Sequence, residues 1–106
     1  MQISYFPGRL RVRDPIFRND EIRSAAESVV RIICSRAEIT YTEKTSGILA
    51  VYPPESVDIE RLKEFVPYLL KIEPKVRFYT PRKKQAVLDG IEEIRRKAEE
   101  MFPETE

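Results

Sequence analysis

The sequence predicts an α+β domain in which two helices cover one face of a four-stranded antiparallel sheet. Three observations lead to this prediction. The stretch RLRVR at residues 9–13 alternates polar and apolar side chains with the period of a strand. Two later stretches repeat apolar residues at helical spacing, and a glycine-containing turn joins two further alternating stretches into a hairpin. With 106 residues, 42% of them hydrophobic, the chain has the size of one domain with a core.

The first strand and the first helix follow each other closely. Residues 9–13 place Leu10 and Val12 on one face of a strand, and Asp14-Pro15 ends it because proline brings no ladder donor. A helix then begins near Asp20. Its apolar positions share one face: Ile22, Ala26, Val29, Val30 and Ile33.

The remaining elements complete the predicted order. Strands at 38–45 and 48–53 meet at a turn at Ser46-Gly47, where glycine supplies positive φ. A second helix, capped by Ser56 or Asp58, runs through IERLKEFVPYLL, and Pro67 is expected to kink or end it. A fourth strand, KVRFYT, follows. The order βαββαβ is that of a ferredoxin-like sandwich, assigned here to residues 1–81.

A third helix lies outside that plan, in a C-terminal segment of residues 82–106 that ends in a frayed tail. Its apolar residues step by 4, 3, 4 and 3, which is the spacing of a coiled-coil seam. About two heptads leave two possibilities open. The seam either docks on the domain's own sheet or forms an interface with a partner, a homodimer above all. The seam residues are Val87, Ile91, Ile94, Ala98 and Met101.

The stretches PGRLRVRDP, TEKTSGILAVYPP and VDIERL resemble the heavy-metal-associated domains, over residues 6–80. The resemblance implies a ferredoxin-like fold and a link to metal transport or homeostasis. Metal-carrying members of that family hold a soft ion with a C-x-x-C motif between the first strand and the first helix. Here that loop reads RDPIFRND, and the chain has no histidine. The resemblance is therefore to the divergent group without metal ligands, and no metal and no cofactor are predicted.

One cysteine, Cys34, is the only thiol in the chain. It follows Ile33 on the flank of the first helix's apolar face, so it is expected to be a small core residue. A single cysteine forms no intramolecular disulfide, and neither a signal peptide nor a membrane-spanning run is visible. A cytoplasmic location is the expectation.

An enzyme is not predicted. Without histidine there is no base for a nucleophilic triad. Acylphosphatases share the predicted fold, and Arg18 lies where they carry an arginine. However, the loop contains Pro15 and no glycine to expose a cradle of backbone N–H groups, and the hairpin lacks the asparagine of those enzymes.

The open face of the sheet is the predicted interaction surface. Alternation sends Leu49, Val51, Val76 and Phe78 toward the helices, and Ile48 and Ala50 outward. A face of arginine and tyrosine could bind single-stranded RNA by stacking and phosphate contacts, which is the alternative function. A net charge of +1, from 19 basic and 18 acidic residues, argues against that alternative. The predicted surface residues are Arg9, Arg11, Arg13, Tyr52, Arg77 and Tyr79.

The favoured prediction is a non-catalytic protein-interaction or regulatory module. Its partner is expected to be a second copy of the chain, a transporter or another assembly. The seam helix lies across the open face or binds a partner in this prediction, with carboxylates of the helix offsetting the arginines.

Overall fold

The computed structural model describes residues 1–103 of the chain. The frayed tail predicted for the C-terminus therefore lies almost entirely outside the described residues. The strands are β1 (Gln2–Phe6), β2 (Arg9–Arg13), β3 (Glu38–Thr42) and β4 (Gly47–Val51). The helices are α1 (Asp20–Ile33), α2 (Ile59–Leu70), α3 (Glu73–Arg77) and α4 (Lys84–Met101), and single 3₁₀ turns lie at Pro15–Arg18, Pro54–Ser56 and Pro81–Lys83.

The four strands form one antiparallel sheet in the order β1-β2-β4-β3. This confirms an α+β fold with a four-stranded antiparallel sheet. Since β2 and β3 each pair antiparallel with β4, they run parallel to each other on either side of it, with α1 as their connection. That part is the split βαβ unit of the predicted order. The complete βαββαβ order is not observed, because the chain begins with two strands.

An N-terminal strand takes the place that the prediction gave to the fourth strand. β1 pairs with β2 through a two-residue Pro7-Gly8 turn, with Gly8 at φ 91°. Pro followed by a positive-φ Gly is the pattern of a type II turn. Residues 75–80, predicted as a strand, are instead the end of α3 and a connecting segment. With β1 beside β2, no pairing position remains there for another strand, and Pro74 lies in the first turn of α3, which buries Val76.

The two predicted helices are confirmed, with small corrections at their ends. Asn19, one residue before the predicted start, caps α1 by accepting bonds from the backbone N–H groups of Glu21 and Ile22. Asp58 caps α2 in the same way. α2 continues past Pro67 to Leu70, so this proline does not end it.

The β3–β4 hairpin is also confirmed, with a correction to its turn. The turn occupies residues 43–46, and Gly47 is already the first residue of β4. Ser46 has the positive φ, 53°, that was expected of glycine. The buried Ser46 is held there by two contacts, because Arg18 Nε donates to its hydroxyl at 2.9 Å and the Asp14 N–H donates to its carbonyl at 3.2 Å.

α4 belongs to the core of the domain. It packs mainly on α1, and also on α2 and α3, on the helix-covered side of the sheet. A single cluster of buried side chains takes in the sheet, α1, α2, α3 and α4. The division into a domain of 1–81 and an added helix therefore does not describe the packing. None of the helices within residues 1–103 combines the length and apolarity of a membrane-spanning segment.

Candidate interaction surface

Within residues 1–103, one face of the sheet carries no helix. Strand pairing orders its outward side chains into three rows that cross β1, β2, β4 and β3 in turn. The rows are Phe6-Arg9-Val51-Glu38, Ser4-Arg11-Leu49-Thr40 and Gln2-Arg13-Gly47-Thr42. We call these residues the open face. Its central feature is the set of three arginines on β2, which are spaced about 6.8 Å apart because alternate residues share a side of a strand.

The neighbours of Arg13 leave room for its side chain. Gly47 lies directly opposite Arg13 on β4, and a Cβ on that glycine would meet Arg13 Cγ at 3.1 Å. The guanidinium of Arg13 donates to the side-chain oxygen of Gln2 on the other neighbouring strand. The side chain of Arg13 thus has space above Gly47 on one neighbouring strand and a hydrogen-bond partner, Gln2, on the other.

The arginines of the open face have no acidic partner within ion-pair distance among residues 1–103. The only carboxylate on this face is Glu38, in the row of Arg9 but two strands away. Two strand spacings are about 9.6 Å, which is a solvent-screened separation at physiological ionic strength. The open face is therefore a local patch of positive charge on a nearly neutral chain.

Apolar side chains flank the arginine at one end of this face. Phe6 is 52% exposed and Val51 is 50% exposed, on either side of Arg9. The Arg9 guanidinium carbon lies 6.0 Å from the centre of the Phe6 ring, at the limit of a cation–π contact. Exposed aromatic residues beside arginine are typical of the centres of protein interfaces.

Three of the residues predicted for this surface lie elsewhere. Tyr52 is 5% exposed and belongs to the core, and its hydroxyl has no hydrogen-bond partner among residues 1–103. Arg77 lies on α3, 3.9 Å from Glu73, and Tyr79 is in the segment that follows. There are two physical reasons. β4 turns to the core the face that was predicted to point outward, so Ile48, Ala50 and Tyr52 are buried. Residues 75–80 form no strand, so Arg77 and Tyr79 do not belong to the sheet.

Sequence reasoning missed Phe6, Leu49 and Val51 as members of the open face. A signal for Phe6 was present, since QISYF alternates like a strand and Pro7-Gly8 follows it as a turn signal. For β4 there was no such signal. Its run Ile48, Leu49, Ala50, Val51 is apolar at every position, so alternation cannot tell the two faces apart.

The seam of α4 is not a free surface. Val87 and Ala98 have no solvent exposure, Ile91 and Ile94 are at most 9% exposed, and Met101 packs partly buried against the same cluster. These side chains pack against other residues of the same chain, so they are not exposed for contact with a second copy. The alternative in which α4 crosses the open face is also corrected, because α4 lies on the other side of the sheet with α1.

Cys34 is fully buried at the end of α1, where burial raises the pKa of its thiol to about 12. Only the thiolate binds metals or attacks disulfides, and the thiolate is disfavoured here. Within residues 1–103, no three His, Cys, Asp or Glu side chains are grouped so that they could hold a metal ion. That the chain binds no metal stays a prediction.

We expect Cys34 to be unreactive in the folded protein. Treatment with iodoacetamide or a thiol-reactive dye near pH 8 should leave the native chain unmodified, and should label it fully in guanidinium chloride. Intact-mass spectrometry measures both. The thiol of Cys34 loses its proton more easily in the unfolded chain than in the folded one. The free energy of unfolding should therefore fall as pH rises from about 9 toward 12. Rapid labelling of the native chain would contradict the buried position.

Comparisons with models of known protein families, with curated proteins and with solved structures found no match for this chain.

Proposed function

We propose that this chain is a non-catalytic interaction module whose open face binds an acidic segment of a partner protein. The observation that carries the proposal is the set of three arginines on a central strand, with no acidic partner within ion-pair distance in the described part of the chain. Charge complementarity of this kind speeds association and excludes wrong partners. Phe6 and Val51 would receive apolar side chains of the same partner segment.

A second copy of the chain is a poor partner for this surface. Two open faces related by a two-fold axis would bring arginine against arginine, and Glu38 alone would offset three positive charges. Like charges brought together at an interface cost several kcal/mol. The partner we propose is therefore a different, acidic protein, and self-association becomes an outcome of the test.

Single-stranded RNA is the competing ligand for the same arginines. Recognition of single strands depends on aromatic side chains on which bases stack. With Tyr52 buried and Tyr79 off the sheet, Phe6 is the only aromatic side chain on the open face. The surface thus keeps phosphate-binding groups but has little on which to stack bases, and this favours the acidic protein.

The resemblance to heavy-metal-associated domains supplies a setting for the proposal. A domain of that type without metal ligands would serve as a regulatory or docking unit near metal transport rather than as a carrier. The single cysteine supports a reducing compartment, so the proposed location is the cytoplasm. A transporter or another assembly with an acidic segment exposed there is the kind of partner that fits.

The test uses a soluble glutamate- and leucine-containing peptide and an oligouridine RNA, titrated into the isotope-labelled chain at low salt. We expect the peptide to shift backbone signals of β2 and β4, and the variant Arg9→Gln/Arg11→Gln/Arg13→Gln to weaken binding about 10-fold or more. Arg31→Gln/Arg36→Gln/Arg82→Gln is the control, since it removes the same charge from exposed positions off the open face.

Three results would overturn the proposal. Equal weakening by the control variant would mean that net charge alone attracts the peptide. Tighter binding of oligouridine than of the peptide at the same strands would assign the surface to RNA. Self-association of the chain through β2 and β4, seen by sedimentation, would replace the acidic partner with a second copy.

A further inference from the structure

A second positively charged feature lies among the helices, in a groove between α4 and the α2–α3 segment. Its volume is about 240 Å³. The open face belongs to the opposite side of the sheet, so the two features are separate. The groove is lined by Tyr68, Lys71, Ile72, Lys75, Gly90, Glu93, Ile94 and Lys97.

Two of its lysines share one aromatic ring. The ammonium of Lys71 lies 4.7 Å from the centre of the Tyr68 ring, and that of Lys97 lies 4.8 Å from the same centre. The ring thus brings together a cation from α4 and a cation that follows α2. Because both positive charges lie beside the same ring, their potentials add at this end of the groove, and an anion bound there is attracted by both.

Gly90 brings the third lysine to the groove. This glycine is buried in the interior of the 18-residue helix α4, where glycine is among the least favourable residues. A Cβ at this position would lie 3.3 Å from Lys75 Nζ and 3.4 Å from Ile72 Cδ1. The missing side chain therefore lets the Lys75 ammonium lie against α4.

The charges of the groove are not balanced within the described residues. Neither Lys71 nor Lys75 has a carboxylate within ion-pair distance in residues 1–103, and Lys97 reaches only Glu100, at 4.0 Å. Glu93 is the one acidic residue of the lining, and it is exposed. Three ammonium groups against one carboxylate leave the groove cationic.

We propose that this groove binds the phosphate groups of a small soluble polyphosphate. Ammonium groups bind phosphate as point charges and from several directions, which suits three lysines that come from different elements. The volume lies just under the roughly 300–1,000 Å³ of pockets that enclose whole drug-sized ligands. It therefore fits a pyrophosphate-sized group whose remaining part stays in solvent.

The experiment is a calorimetric titration of the full chain with inorganic pyrophosphate at low salt. One pyrophosphate should bind per chain, and Lys71→Gln/Lys75→Gln/Lys97→Gln should weaken binding about 10-fold or more. Glu93→Gln should tighten binding about 2-fold, because it removes the one repelling charge. The control Lys44→Gln/Lys63→Gln/Lys83→Gln removes equal charge from exposed positions outside the lining and should change affinity less than about 2-fold.

Gly90→Ala separates binding from folding. Alanine favours the helix, and its Cβ meets the flexible end of Lys75, so Tm should not fall while pyrophosphate binding weakens. A titration with no saturable binding would overturn the proposal, as would equal weakening by the control triple variant. Binding to vesicles that contain phosphoinositides, without binding to pyrophosphate, would assign the lysines to a membrane surface instead. The variant Arg9→Gln/Arg11→Gln/Arg13→Gln should bind pyrophosphate with the affinity of the parent chain. The groove proposal and the proposed function of the open face can therefore be disproved separately.

Discussion

Replacing both Ile91 and Ile94 by Asp should unfold the domain rather than dissociate an oligomer. Both side chains are buried between α4 and its neighbours. Truncating a buried isoleucine costs about 2–5 kcal/mol, and an unpaired carboxylate in its place adds a desolvation penalty. Two such changes approach the whole stability of a typical domain, about 5–15 kcal/mol. Circular dichroism and a thermal melt should show no cooperative transition.

The control is Ala86→Asp, which introduces the same side chain at an exposed position in the first turn of α4. A negative charge near a helix N-terminus is favourable, so this variant should melt like the parent chain. A double Ile→Asp variant that stays folded and loses only self-association in sedimentation would show that the seam binds a partner. In that case α4 would not be packed on α1 in the core of the domain.

Phe65→Ala should produce the second largest loss of stability. The side chain is fully buried on α2 and makes an edge-to-face contact with Phe102, at 5.6 Å between ring centres. It also stacks on Tyr68 at 6.1 Å. Removing a buried phenylalanine costs about 3–5 kcal/mol, including the cavity it leaves. We therefore expect the Tm to fall by more than about 10 °C.

Phe78→Ala is the matched control for this prediction, and it also separates two folds. Phe78 is 73% exposed, so its truncation should change Tm little. In the βαββαβ order, Phe78 would lie on a fourth strand with its ring in the core, and its loss would cost as much as that of Phe65. A large destabilisation by Phe78→Ala would therefore favour the ferredoxin-like order over a sheet in which β1 pairs with β2.

The elements predicted correctly from the sequence are those whose residue pattern fits only one type of secondary structure and one core-facing side. In β2 and β3, apolar and polar residues alternate without exception, and the predicted face is buried in β2 and partly buried in β3. In α1, the spacing of Ile22, Val29, Val30 and Ile33 predicted the buried face. In each pattern the apolar residues lie on one face and the polar residues on the other, so the pattern itself shows which face of the strand or helix is buried.

The fourth strand was predicted where the local pattern was ambiguous. KVRFYT alternates, but residues 73–77 also suit a short helix that has a proline in its first turn and turns Val76 inward. The choice depended on whether a pairing position beside β2 was free. β1 fills that position, and its presence cannot be inferred from residues 75–80 themselves. The prediction of a strand there was wrong for that reason.

By itself the sequence determined the α+β class, the β3–β4 hairpin, the two capped helices and the arginines on one side of β2. These depend on local periodicity and turn chemistry, which act between residues near each other in the chain. Only the tertiary structure decided that β1 completes the sheet, that β4 buries Ile48 and Ala50, and that α4 joins α1. These features depend on which apolar faces pack against each other. The apolar area that is buried is a property of the whole folded chain, so it cannot be read from residues that are neighbours in the sequence.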